Sequence, residues 1–388
     1  METQLAFSAT EYRRRFDAVL ALAAERNLDY LIIHKPEQTC WISGFNPTGV
    51  FYQNQLQINP RTGEVMILTH RLERDIAAES TWVEDRVLWT HHGQDPLEIG
   101  AERARTHLPE GRTARLGMTL GDYYLKVRDF QKFTKLLGDV DVVDVTDAID
   151  DLMLVKSDEE IAVIREASAI ADAGYDAAIE AIRPGVREWD VNAAIQFALA
   201  THGGEYPAFP TLVSSGERTG PLHNLPSNRV LQAGDAVFLV IPGVRHRYNV
   251  NLERTVFVEE APPLGREIYA VAEAAFHAGL ALTRPGTPVG DIDRATLEVK
   301  KEKGFLQYNP GTRAGFGVGL SYPPIWISTL SILDGDPHIL APGYVFSLEP
   351  HIQGYHDWSI TVGNIILVTA DGYEELLRAP TTLVEVRH

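Results

Sequence analysis

The sequence changes character near residue 155, and that change constrains the fold more than any other feature. Before it, short apolar runs alternate with helical ones. Ser8-Ala9-Thr10-Glu11 is a helix start, and Phe16, Val19, Leu20 and Leu22-Ala23 recur at helical spacing, so a helix is predicted over 8–27. Residues 28–33 read as a short buried strand, 63–68 as a strand entered from a turn, and 71–80 as a helix. Gly117-Met118 and 140–145 suggest further strands. Strands alternating with helices predict an α/β domain of about 150 residues. After the change, Ser157 is an N-cap followed by Asp158, Glu159 and Glu160, acids that suit the start of a helix. A long helix then runs to about Ile182 and stops at Pro184-Gly185, and 189–201 and 263–282 give two more. The rest reads mostly as strand: 236–241, 252–258, 344–348 and 360–368. This predicts an α+β domain of curved antiparallel strands with flanking helices. The domains are expected at 1–152 and 153–388.

The charge balance excludes one class of function. The 388 residues carry 53 Asp and Glu against 35 Lys and Arg, a net charge of −18. No basic stripe is available to neutralise a polyanion, so no nucleic-acid partner is expected. The one cysteine, Cys40, can form neither an internal disulfide nor a thiolate metal cluster. No run of about 18 apolar residues marks a membrane span. Residues 1–15 lack the apolar segment of a signal peptide, so the chain reads as cytoplasmic.

Three segments set chemistry-bearing residues among the strands. His223 follows Gly216-Glu217-Arg218-Thr219-Gly220-Pro221-Leu222, on a loop or strand edge where an imidazole titrates near neutrality. In Asn249-Val250-Asn251-Leu252-Glu253-Arg254-Thr255, strand alternation puts Asn251, Glu253 and Thr255 on one face. An inward glutamate is costly unless paired, and the plain alternative is a solvent-facing Glu253 or a pair with Arg254. Glu349 closes the apolar run Phe346-Ser347-Leu348-Glu349-Pro350.

The order of these segments resembles the creatinase branch of the creatinase/prolidase/methionine-aminopeptidase superfamily. The carriers are His223-Asn224-Leu225-Pro226-Ser227-Asn228-Arg229, Gly234-Asp235, 252–257, Gly315-Phe316-Gly317-Val318-Gly319 and Ser347-Leu348-Glu349-Pro350. The junction Leu154-Val155-Lys156-Ser157-Asp158-Glu159-Glu160 and the N-terminal half are similar as well. The resemblance implies a "pita-bread" C-terminal domain preceded by a smaller α/β domain.

That superfamily's metallopeptidases hold two divalent ions through two aspartates, a histidine and two glutamates. By the resemblance, those positions here carry Val240, Asn251, Phe316, Glu349 and Gly363. Val, Phe and Gly side chains supply no donor to a divalent cation, so no metal and no other cofactor is expected. Creatinase works without metal through a histidine and two glutamates, which match His223, Glu253 and Glu349. The stretch Leu320-Ser321-Tyr322-Pro323-Pro324-Ile325-Trp326 is similar to the ectoine-hydrolase branch. The implied activity is metal-independent hydrolysis of a C–N bond in a small guanidino, amidine or amide compound. Glu253 and Glu349 would hold the cationic group, whose planar N–H donors match carboxylate lone pairs. His223 would act as general base and acid.

Creatinases hold a substrate carboxylate with arginines, one of them on an N-terminal loop. Here Gln53 stands near that position, and no Lys or Arg occurs between Arg313 and Arg378. Creatine itself is therefore disfavoured. Phe51, Gln53, Asn251, Phe316, Tyr322 and Trp326 are the expected substrate-binding residues. The resemblance also implies a homodimer in which Phe51 and Gln53 act in the partner's site. Two alternatives stand beside this reading: an Xaa-Pro dipeptidase or aminopeptidase with metal ligands elsewhere, and a non-catalytic binding member of the superfamily.

Overall fold

The structure, a computed structural model, describes residues 5–83, 87–309, 311 and 313–387; the opening Met1–Gln4 lies outside them. The chain divides into two compact units, Met1–Met153 and Leu154–His388. No helix is long and apolar enough to cross a membrane among the described residues.

The N-terminal unit runs α1 (Ala9–Glu25), β1 (Tyr30–Ile33), α2 (Pro36–Ser43), β2 (Gln55–Asn59), β3 (Glu64–His70), α3 (Arg74–Ser80), β4 (Val87–Thr90), α4 (Pro96–Arg105), β5 (Ala114–Met118), α5 (Val127–Leu137), β6 (Val140–Asp144) and α6 (Thr146–Leu152). Ser8 caps α1 by accepting from the Glu11 amide. The strands form one sheet of order β4-β3-β2-β1-β5-β6. Neighbours β1–β2 and β2–β3 are antiparallel, whereas β3–β4, β1–β5 and β5–β6 are parallel. Tyr30, Ile32, Leu116 and Met118 pack with Leu97, Ala101, Ala104 and Phe133 in a core on one face of the sheet.

The C-terminal unit opens with α7 (Asp158–Ala181), started by a capping box between Ser157 and Glu160. It continues through α8 (Glu188–Thr201), β7 (Leu212–Ser215), β8 (Ala236–Arg245), β9 (Tyr248–Val258), α9 (Pro263–Ala281) and α10 (Val289–Glu302). The remaining strands are β10 (Gly315–Gly317), β11 (Gly319–Leu320), β12 (Ser331–Ile332), β13 (Val345–Leu348), β14 (His351–Tyr355), β15 (Trp358–Thr361), β16 (Asn364–Val368), β17 (Tyr373–Glu375) and β18 (Glu385–Val386). One sheet has the order β11-β9-β8-β7, with β18 paired to β9. A second has the order β12-β10-β13-β16-β17, and β14 pairs with β15. Helix α7 lies close over β8: a Cβ at Gly243 would sit 1.9 Å from the Ala167 carbonyl oxygen, so only glycine permits this approach. Helix α9 contributes Ile268, Ala272 and Phe276 to a core shared with Phe346, Leu348, Ile352, Ile360 and Ile366.

One element is added and one expectation is corrected. Helix α10 was not predicted, because its buried face carries Asp293, Thr296 and Lys300 beside Val289 and Ile292, a pattern that hides helical periodicity. The run 360–368 is two strands, β15 and β16, interrupted at Val362-Gly363.

Candidate active site

Strand β9 supplies the first half of the site. Asn251 and Glu253 share a face of it, and across the antiparallel ladder Pro242 lies opposite Asn251 and Val240 opposite Glu253. On the other face, Arg254 is fully buried. Its guanidinium donates to the carbonyl oxygens of Gly363 and Ala379, and to that of Glu253 at 3.2 Å. The carboxylate of Glu253 is therefore not its ion-pair partner.

The second half comes from β13 and β14. Ser347 lies on β13, Glu349-Pro350 forms the corner, and His351 opens β14. Asn251 Nδ2 and Ser347 Oγ each donate to Glu349 Oε2, both at 2.6 Å. His351 Nε2 lies 2.9 Å from Glu253 Oε2. Glu253, Glu349 and His351 each present one donor atom, all within 4.8 Å of one another. Among the described residues, no Lys or Arg forms an ion pair with either glutamate.

The surroundings disfavour charge on all three groups. Burial pushes the Glu253 carboxyl up to about 7, against the Asn251 hydrogen bond and the positive charge of Arg254. Burial and then the charge of Glu253 push Glu349 up to about 8, opposed by His351 and by the Ser347 and Asn251 donors. Burial pulls His351 down to about 4, although Glu349 favours its charged form. The two carboxyls titrate as a unit, and near neutrality the pair retains protons while the ring is neutral. Such a site gains most from a ligand that brings positive charge into it.

The other expected residues fall in separate places. His223 is exposed, and its ring lies 5.4 Å from that of Phe209, which in turn lies 5.3 Å from Trp326. Tyr322 is fully buried, with the Arg247 guanidinium 4.9 Å from its ring. Phe316 is buried on β10 directly opposite Ser347, and the Arg313 guanidinium sits 5.8 Å from its ring. Phe51 and Gln53 belong to the N-terminal unit. Phe51 is 66% exposed and rests on Tyr52, while Gln53 donates to Asp129 at 3.0 Å. Both line a cleft of about 640 Å³ within that unit, together with His70 and His92.

The structure thus brings Asn251, Glu253 and Glu349 together and adds two residues the sequence reading missed, His351 and Ser347. A signal for His351 was present. Pro350 has no amide to donate to a ladder, so β13 ends at Leu348 and a new strand, β14, begins at His351, two residues past the predicted Glu349. Phe209, the ring between His223 and Trp326, had no such signal.

A family scan matches residues 162–370 to metallopeptidase family M24 and residues 15–155 to the creatinase/prolidase N-terminal domain. The chain belongs to family M24. An uncharacterized hydrolase/peptidase, y4tL of Sinorhizobium fredii, is 30% identical over 97% of both chains. The ectoine hydrolase of Halomonas elongata is 26% identical over 99% of both, and the Xaa-Pro dipeptidase of Pyrococcus furiosus is 27% identical over 96% of this chain and 100% of that one. The crystal structure of dipeptidase PepE from Mycobacterium ulcerans superposes with a TM-score of 0.83 at 26% identity, covering 98% of this chain and 99% of the other. The fold is that of the M24 hydrolases, a creatinase N-terminal domain followed by a pita-bread domain.

The family's metals can be tested against the donors present. By the resemblance, the five ligand positions fall at Val240, Asn251, Phe316, Glu349 and Gly363; Val240 is buried with no donor, Asn251 is a neutral amide bonded to Glu349, and Phe316 is a buried ring. Gly363 is hemmed in, because a Cβ there would lie 2.9 Å from the Glu349 Cβ. A glutamate cannot be accommodated at that position without displacing Glu349. These five positions do not fit a pair of metal ions.

Proposed function

We propose that this M24 hydrolase cleaves a C–N bond in a small guanidino, amidine or amide compound without using a metal. The carrying observation is the buried Glu253–Glu349 pair, unaccompanied by any Lys or Arg ion pair among the described residues. An amidinium or guanidinium placed against the two carboxyls would donate planar N–H groups and replace their protons. His351 would hold Glu253 in place. His223 would take a proton from the attacking water and return it to the leaving nitrogen as the C–N bond breaks. Phe209 and Trp326 would form the aromatic wall beside that imidazole, with Phe316 and Tyr322 deeper in the fold. In a homodimer, Phe51 and Gln53 of one copy would complete the site of the other.

The likeness to ectoine hydrolase supports this reading, whereas the equally strong likeness to Xaa-Pro dipeptidases supports a peptidase. The donor set favours the first, because a metallopeptidase needs the ligands that Val240, Phe316 and Gly363 have lost. The test is a substrate panel of ectoine, creatine, related amidines and amides, and Xaa-Pro dipeptides, monitored by mass spectrometry with metal-stripped protein. Turnover of a C–N substrate that survives chelation and is lost in His223→Ala supports the reading. Cleavage of Xaa-Pro dipeptides that needs added manganese or cobalt overturns it.

A further inference from the structure

Glu253 and His351 lie outside the five positions through which the family holds its metals, and only Glu349 is shared with them. Yet Glu253, Glu349 and His351 bring two carboxylate oxygens and an imidazole nitrogen within 4.8 Å of one another. A second observation points to the same spot. His351 Nδ1 and Asn251 Oδ1 are buried polar atoms with no hydrogen-bond partner, although the Asn251 amide is bonded to Glu349 through Nδ2. A buried polar atom without a partner calls for an explanation, and a bound ion or water is one. Both donors to Glu349 go to Oε2, which leaves its Oε1 without a hydrogen bond among the described residues.

We propose that Glu253, Glu349 and His351 form a mononuclear binding site for a divalent transition-metal ion of the zinc class. Two carboxylates and one imidazole are a borderline donor set, suited to zinc, cobalt or manganese. Calcium and magnesium prefer more oxygen donors than three residues supply. The two carboxylates match the charge of one divalent ion. A second ion has no place, because Val240, Phe316 and Gly363 bring no donors. The inference rests on the proposed function in one respect: the ion takes the carboxylates assigned to the organic cation, so it acts as a competitive inhibitor.

Cobalt(II) titration of metal-stripped full-length protein tests this through visible absorption, with calorimetry using zinc as a second readout. The expected result is one tight equivalent per chain with a ligand-field spectrum, lost on zinc addition. Glu253→Gln and His351→Gln should each weaken cobalt affinity by about 100-fold or more. His277→Ala, an exposed histidine elsewhere, should leave it unchanged. Thermal melts show whether each variant is folded, and Glu349→Gln provides an independent third variant. Acetamidine, as the organic probe, should raise the apparent cobalt Kd. Absence of a bound equivalent, or binding that survives both Glu253→Gln and His351→Gln, overturns the site. Cobalt binding that acetamidine does not disturb overturns competition alone. None of these outcomes bears on whether stripped protein turns over a C–N substrate, so the two proposals fail separately.

Discussion

Two buried glutamates in the C-terminal unit are handled in opposite ways. Glu188, at the start of α8, is fully buried and saturated with donors. It accepts from the amide and hydroxyl of Ser215, from the amide and hydroxyl of Ser227, and from the Arg218 guanidinium. Glu349 is buried too, yet among the described residues it accepts only from Asn251 and Ser347, and it has another carboxyl group as its neighbour. A fold that only needs to bury a carboxylate surrounds it with donors and a cation, as at Glu188. The fold leaves Glu349 and Glu253 without a Lys or Arg ion pair among the described residues, and the proposed ligand role of the pair rests on this contrast.

The largest expected effect breaks the comparison on the side of activity. Glu349→Gln should lower turnover of the cognate substrate by about 1000-fold, within the range for lost charge and proton-transfer partners, while the melting temperature holds or rises. Steady-state kinetics with parallel thermal melts checks both halves. The mirror substitution, Glu188→Ala, should cost about 2–4 kcal/mol in chemical denaturation, because Arg218 and four serine donors lose their acceptor. Its kcat per folded molecule should not change. Gly363→Ala should cost about 1–3 kcal/mol, since the new Cβ would lie 2.9 Å from that of Glu349.

A pH series sharpens the contrast further. Folding raises Glu253 to about 7 and Glu349 to about 8, above their unfolded value of 4.5. Their contribution to stability is therefore fully present below about 4.5 and is lost as pH rises through 7 to 8. Glu349→Gln should flatten stability over that window. His351, lowered from 6.5 to about 4, contributes in the opposite sense, with stability present above 6.5 and lost as pH falls through about 4. A cationic ligand competes with the carboxyl protons, so its affinity should rise from pH 6 to 8, by at most about tenfold per unit for each proton displaced. Calorimetry in buffers of different ionisation enthalpy would count those protons; no proton release would contradict the assignment of the carboxyls as the cation's partners.

Parts of this architecture are visible in the chain itself. The Ser157 cap with Glu160 three residues on marks the start of α7 because capping is a local interaction. Alternation along 251–255 places Asn251 and Glu253 on one face because a strand repeats every two residues. Helix α10 escaped because its inward side chains, Asp293 and Lys300, are polar and held by tertiary contacts. The need for glycine at 363 escaped because the neighbour that crowds it, Glu349, is distant in sequence but adjacent in space.

The sequence by itself determined the change of texture near residue 155, the Ser157 cap and the shared face of Asn251 and Glu253, which follow from short-range periodicity and capping chemistry, while the resemblance supplied the positions Val240, Phe316 and Gly363 and the candidate pair Glu253 and Glu349. Only the tertiary structure decided that Arg254 serves backbone carbonyls, that His351 meets Glu253, and that among the described residues neither glutamate has a Lys or Arg ion-pair partner. Each of these depends on which groups converge across separate strands and on how much water that convergence excludes.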